Sequence, residues 1–232
     1  MSDRPLAPVA DRASRVVERS LARHRAQYAD EVQRLVDATL AVMQEQETAD
    51  PTVSDILERA ALSTSAFYRH FPTKEDLLVV LLEQAHELTA AHLEQRMGSE
   101  ADPVRRIELW VRAVFDLVRT EESLRQNRAL LLAHPRLLQA FPTEISSGFA
   151  HIAWPLQVAI TDARRAADVD EGDPAIDARL ALSQVFGLLV DAAALGDPPS
   201  AATVDATVAY TLRAVGVGEP VVVGAPVRRR RR

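Results

Sequence analysis

The chain contains no cysteine, a single lysine (Lys74), eight glycines and only 5% aromatic residues. The first absence removes disulfide frameworks and thiolate chemistry. Scarce glycine, prolines that punctuate helix-periodic segments and the lack of alternating apolar patterning exclude a sheet and favour an all-α fold. No apolar run opens the sequence as a signal peptide does, and the longest apolar stretch, near Val185 to Val190, is too short to span a bilayer. A cytoplasmic protein without a membrane partner is expected. Glycine-rich phosphate loops, histidine pairs at zinc spacing and a Gly-x-Ser-x-Gly elbow are also missing. Glu83-Gln84-Ala85-His86 has the Glu-x-x-His spacing of helical di-iron sites, but that chemistry needs a second copy and further glutamates. His86 is therefore expected on a helix surface, and no enzyme activity, metal or cofactor is expected.

What the sequence does contain is concentrated in residues 51–78. Pro51 and Pro72 disfavour helix in the residues before them. Thr52 has Asp55 three places on, and Thr73 has Asp76, so each reads as a helix N-cap with a capping-box acid. Ser63 reads as a third cap. These signals predict a helix over 53–59, a turn at 60–63, a second helix over 64–71 and a third from Lys74. Ile56, Leu57, Ala60, Leu62, Phe67 and Phe71 are spaced to share a small core. The remaining face carries Thr64, Ser65, Tyr68, Arg69 and His70. In a helix-turn-helix the second helix enters the major groove, reading base edges while flanking groups grip phosphates.

Charge agrees locally. Residues 59–74 carry Arg59, Arg69 and Lys74 and no acid, whereas residues 75–227 carry 22 acids against 12 bases. The overall charge of -6 does not argue against nucleic acid, because only the docking surface must displace counterions. Lys74, at a helix start, suits a compact phosphate contact.

Ser63-Thr64-Ser65-Ala66-Phe67-Tyr68-Arg69-His70-Phe71-Pro72-Thr73-Lys74-Glu75-Asp76-Leu77, preceded by Thr52-Val53-Ser54-Asp55-Ile56, resembles the signature of the tetracycline-repressor (TetR) family of transcriptional regulators. The resemblance covers roughly residues 30–80. It implies an all-helical homodimer whose N-terminal domain binds a palindromic operator, with a C-terminal domain that binds a small molecule and dimerises. By position it implies that Thr52 caps a helix and touches a phosphate, that Ser63, Thr64, Ser65 and Ala66 lie at the DNA-facing start of the reading helix, the last three towards bases, and that Tyr68, His70 and Lys74 contact the backbone. Arg69 is the strongest candidate for a base contact, bidentate to guanine. Three positions depart from the family pattern. Ser65 replaces a frequent glycine and Ala66 a frequent threonine, so base preference does not transfer. Ala61 stands where glycine is usual, and a positive φ there would cost about 1 kcal/mol.

Four segments are expected: a basic, partly disordered arm (1–29), the helix-turn-helix domain (30–80), a helical ligand-binding and dimerisation domain (81–216) and a disordered tail (217–232) ending in five arginines. In the arm, Arg12, Arg15, Arg19 and Arg23 would form one stripe if helical, placed to follow the DNA backbone. A long helix from Lys74 to about Met97 should link the two domains. Asp102-Pro103 and Asp173-Pro174 read as helix starts. Further helices are expected at 122–133, around 136–141, and at 143–167, the last kinked or divided at Pro155. The segment 178–195 is apolar around most of its circumference and, with 200–215, is expected to form a four-helix dimer interface over about 173–216. Trp110, Phe115, Leu131, Phe149, His151, Trp154 and Phe186 are candidates to line a pocket for a small apolar effector. The reading is a dimeric, ligand-responsive regulator of double-stranded DNA, with a helical protein-interaction module that does not bind DNA as the alternative.

Overall fold

The computed structural model describes residues 9–170 and 172–218, with side chains from residue 17 onward. Among the described residues there are nine α-helices, a short 3-10 turn and no strand. The chain divides into two compact units, Met1–Leu81 and Leu82–Arg232.

In the first unit, α1 (Val9–Glu45) packs against α2 (Val53–Ala60) and α3 (Thr64–His70), and α4 (Lys74–Met97) begins here. The first helix runs from Val9 through the arm into the helix-turn-helix domain, so the described part of the basic arm is helical, the condition under which its arginines share a stripe. Among the described side chains, from residue 17, its buried residues begin at Glu31. The core is built from Leu35, Val36, Val42 and Met43 of α1, Ile56 and Ala60 of α2, Phe67 and Phe71, and Leu77 and Leu78 of α4, all buried.

Local chemistry sets each boundary. Thr52 Oγ1 accepts the Asp55 N–H at 3.2 Å, Ser63 Oγ accepts that of Ala66 at 3.2 Å, and Thr73 exchanges bonds with Asp76 in both directions. Three of the orphan donors at helix starts are thereby satisfied. At the end of α2, Ala61 lies in the left-handed region (φ 51°, ψ 47°). Its N–H bonds Glu58 O, and Leu62 N–H reaches back to Leu57 O at 3.2 Å, the 6→1 and 5→2 pattern that ordinarily takes glycine. Arg34 of α1 completes this end by donating to the carbonyls of Ala60 and Ala61. Ala61→Gly is expected to raise stability by about 1 kcal/mol through relief of the left-handed strain. A higher urea midpoint at unchanged m-value reads it; an unchanged or lower midpoint would show that alanine sits there without strain.

The second unit holds the rest of α4, α5 (Pro103–Phe115), the 3-10 turn (Asp116–Val118), α6 (Glu121–Ala140), α7 (Pro142–Ala167), α8 (Pro174–Leu195) and α9 (Ala201–Ala214). Asp102, Thr120, Asp173 and Ser200 cap their helices through side-chain oxygens. Its core joins Leu93, Ile107, Trp110, Val114, Leu156, Ile160, Leu182, Val185 and Leu189. The expected break at Pro135 is absent, since α6 continues through it, and α7 is not divided at Pro155. At Pro155 the carbonyl deprived of its donor belongs to exposed His151, where water can serve it, so the helix persists. By length and composition alone α8 is apolar enough to cross a membrane, contrary to the sequence reading; its inner face packs on α6 and α7.

Candidate nucleic-acid interface and an enclosed cavity

In the first unit α3 buries one side and exposes the other. Phe67 is fully buried and Ala66 is 8% exposed, whereas Ser63, Thr64, Ser65, Tyr68 and Arg69 are open. Thr52 and Thr73 are also exposed at the neighbouring helix starts. The result is a short rod held by apolar contacts on one side and lined by hydroxyls, a phenol and a guanidinium on the other, the form that major-groove reading requires.

Three expected site residues are placed differently from the sequence reading. Ala66, assigned to the base-facing side, packs into the core, because the helical turn that points Ser65 outward turns its neighbour inward. His70, assigned to the phosphate backbone, turns its ring inward: the side chain is fully shielded, meets Tyr28 edge-on at 4.2 Å and bonds Glu31 Oε2 through Nε2 at 2.7 Å. Arg69 is half-exposed but also donates to Glu31 Oε2. Glu31 therefore gathers two residues of the reading helix onto α1, with Gln27 donating from the preceding turn at 3.1 Å. The His70 bond first, then Arg69 and Gln27, hold the Glu31 carboxyl down at about 2, against the opposing effect of its burial. Nothing in the sequence spacing marks Glu31, which lies 38 and 39 residues from its partners. Lys74, kept as a phosphate candidate, pairs with Asp50 at 2.6 Å and remains partly exposed. Of the arginine stripe, Arg19 and Arg23 are exposed on α1, while the side chains of Arg12 and Arg15 lie outside the described residues, as does the tail from residue 219.

The second unit holds a partly open cavity of about 60 Å³ between α4, α6, α7 and α8. Of the seven candidate pocket residues, Leu131, Phe149 and Phe186 line it. Trp110 and Phe115 are core instead, Trp110 donating to Ile152 O at 3.0 Å, and His151 and Trp154 are exposed. His86 and His134, which the sequence reading did not place here, also line it; they are only 5% and 2% exposed, with ring centroids 6.0 Å apart. The expectation of a surface His86 is thus corrected: α7 has a bare backbone at Gly148, and a Cβ there would come within 2.0 Å of His86 Nδ1. Among the described residues no group of three or more His, Cys, Asp or Glu could hold a metal ion.

Burial depresses both imidazoles to about 4, with His134 and then His151 adding repulsion at His86. Both are neutral near pH 7. Their folded-state values lie below the unfolded 6.5, so the unfolded chain takes up protons first and stability falls as pH drops from 6.5 towards 4, by at most about 3 kcal/mol per histidine. The urea midpoint should fall between pH 7 and pH 4.5 and should fall less in His86→Phe/His134→Phe; equal falls in both proteins would remove these groups as the cause.

The fold and the first unit together define a helix-turn-helix DNA-binding protein. Residues 35–81 match the family model described as bacterial regulatory proteins, tetR family. No relative among curated proteins matches the sequence. Among solved structures, RolR in complex with resorcinol is 21% identical with a TM-score of 0.62, over 83% of this chain and 91% of that one. The reduced form of Escherichia coli NemR is 16% identical with a TM-score of 0.62, over 79% and 96%. FadR of Bacillus subtilis in complex with stearoyl-CoA is 20% identical with a TM-score of 0.56, over 81% and 99%. Residues 35–81 carry a tetR-family DNA-binding domain, which makes the chain a DNA-binding transcriptional regulator.

Proposed function

We propose that the chain is a ligand-responsive repressor that binds a near-palindromic operator as a homodimer. The observation that carries this reading is a single helix with two duties. Lys74 opens α4 beside the exposed face of α3, and Leu82, Ala85, His86 and Thr89 of the same helix line the cavity. A ligand that fits the cavity better in one setting of α4 shifts the population towards it, and DNA is released to the extent that the two affinities differ. The resorcinol complex of RolR and the stearoyl-CoA complex of FadR support a cavity with this duty.

In this reading Thr64, Ser65 and Tyr68 face the groove, Arg69 reads a base after leaving Glu31, and Thr52 and Lys74 hold phosphates. The dimer forms through α8 and α9. Ile176, Leu180, Leu195 and Tyr210 are more than half exposed there, and the position a Cβ would take at Gly187 is open. Such a run of apolar surface suits a self-complementary interface. Two reading helices would then lie about 34 to 36 Å apart, or a multiple of that.

The experiment is selection of duplexes from a random pool by the purified protein. A palindrome with half-sites about one helical turn apart, or a multiple, is the expected product. Enrichment of single, unpaired half-sites would remove the dimer, and failure to enrich any sequence would favour the protein-interaction alternative.

A further inference from the structure

The cavity's lining fixes the chemistry of what can occupy it; this step rests on the ligand-responsive reading above. None of its lining residues is Lys, Arg, Asp or Glu. Its four polar side chains are His86, Thr89, Asn127 and His134. Two have already committed their donors: Thr89 Oγ1 donates to Ala85 O at 2.8 Å, and Asn127 Nδ2 donates to Leu117 O at 3.0 Å and Ser123 O at 2.9 Å. The histidines have not: neither ring makes a hydrogen bond, and Nδ1 of His86, which lies against Gly148, and Nε2 of His134 are fully buried without a partner, a condition that is costly unless the rings turn to meet one.

A charged ligand would enter an apolar enclosure with no counter-charge, at a large desolvation cost. A neutral imidazole offers one donor and one acceptor, and a hydroxyl both donates and accepts, so it fits either tautomer of either ring. The rest of the lining is suited to a flat body. His134 stacks on Phe149 at 4.7 Å with 15° between the planes, and Phe186 meets the two at 4.4 and 4.9 Å. Faces and edges of this kind favour an aromatic guest beyond its buried area.

We propose that the cavity of the second unit, about 60 Å³ at rest and so obliged to widen towards the ~150 Å³ that holds a benzene ring, takes an uncharged, flat aromatic ligand bearing a hydroxyl group, which hydrogen-bonds the His86 and His134 imidazoles and packs against Phe149 and Phe186. Gly148 is the positioning element. It leaves room for the His86 ring, whose Nδ1 lies against it, and Gly148→Ala would force the ring to move.

Four probes of one shape separate the possibilities: p-cresol, p-xylene, p-toluate and 4-methylbenzylammonium, titrated calorimetrically into the full chain at pH 7. Binding of p-cresol at least about tenfold tighter than each of the other three is expected, since loss of the hydroxyl leaves buried polar groups unpaired and either charge is unmatched. His86→Phe and His134→Phe, which keep a flat ring and remove both nitrogens, should each weaken p-cresol about tenfold and weaken p-xylene much less; Gly148→Ala should resemble His86→Phe. Equal binding of either ion, indifference of p-cresol to both histidine substitutions, or no p-cresol binding at millimolar concentration overturns the assignment. Release of the selected duplex is measured separately. If p-cresol binds as expected and the duplex stays bound, the ligand class stands and the ligand-responsive reading falls.

Discussion

Leu180→Glu combined with Tyr210→Glu is expected to leave a folded monomer whose operator affinity is lower by about a hundredfold or more. The arithmetic is that of linked binding: two reading heads on one rigid body make the second half-site contact intramolecular, and that gain vanishes when the heads separate. Leu180 and Tyr210 are 63% and 54% exposed and face the same surface hollow, with Gln184, Thr211 and Ala214. Replacing them costs little intrinsic packing, whereas a cluster of carboxylates in a self-complementary interface meets its own copy and repels. Helical circular dichroism should be retained, with sedimentation equilibrium reporting half the mass. A variant that stays dimeric would move the interface off α8 and α9; a monomeric variant with undiminished operator affinity would remove the two-headed mechanism.

The second large effect concerns Glu31. As a carboxylate beside the reading helix it holds Arg69 and His70, so DNA must compete with it for Arg69. Glu31→Gln preserves shape and removes the charge. Non-specific affinity should rise, and the slope of log affinity against log salt should become steeper by about 1, the value of one added phosphate contact. Affinity for the selected duplex should rise as well, because Arg69 no longer has to leave a carboxylate before it reaches its base. Thermal stability should fall too, since His70 keeps its burial but loses its charged acceptor. The depressed carboxyl, at about 2, means that its contribution to stability is fully present above 4.5 and is lost only as pH falls through about 2; the clamp is intact throughout the working range. An unchanged salt slope would show that Arg69 does not move from α1 to DNA. Arg69→Ala completes the comparison, with a loss on the selected duplex exceeding that on the scrambled one by about 1 to 3 kcal/mol.

What could be read from the sequence follows from how local each signal is. Thr52, Ser63 and Thr73 each act within three residues of themselves, and all three caps form where the sequence puts them. The apolar spacing of Ile56, Ala60, Phe67 and Phe71 likewise fixes which side of the two short helices is buried. Ala61 is a conditional expectation resolved by backbone geometry: its φ is positive, and the motif at the end of α2 forms with a residue that pays for it in strain. The inward turn of His70 is not local. It depends on Glu31 and Tyr28 arriving from α1, and a polar side chain beside Arg69 reads as solvent-facing until that partner is known.

The cavity shows the same division. Phe149 and Phe186 could be proposed as pocket residues from size alone, but Trp110 and Phe115 have the same character and lie in the core, where only packing separates lining from filling. His86 and His134 come from α4 and α6, with their rings 6.0 Å apart, and Gly148 of α7 leaves the room that the His86 ring occupies. A glycine inside a helical pattern signals close approach, and Gly148 was the available clue. The proline breaks failed for a physical reason as well: at Pro155 the unpaired carbonyl falls where solvent can satisfy it, so a strong local rule gave way to the burial of Ile152, Leu156 and Ile160 on the other face.

The central claim, that the exposed side of α3 reads duplex DNA, is tested most directly by fluorescence anisotropy of the selected duplex and a scrambled duplex over a range of salt, with wild-type protein and Tyr68→Ala/Arg69→Ala. The account predicts tighter binding of the selected duplex, a log-linear fall with salt at about 0.9 per phosphate contacted, and loss of the preference in the double variant. Equal affinity for both duplexes, or a preference that survives loss of both side chains, would contradict it.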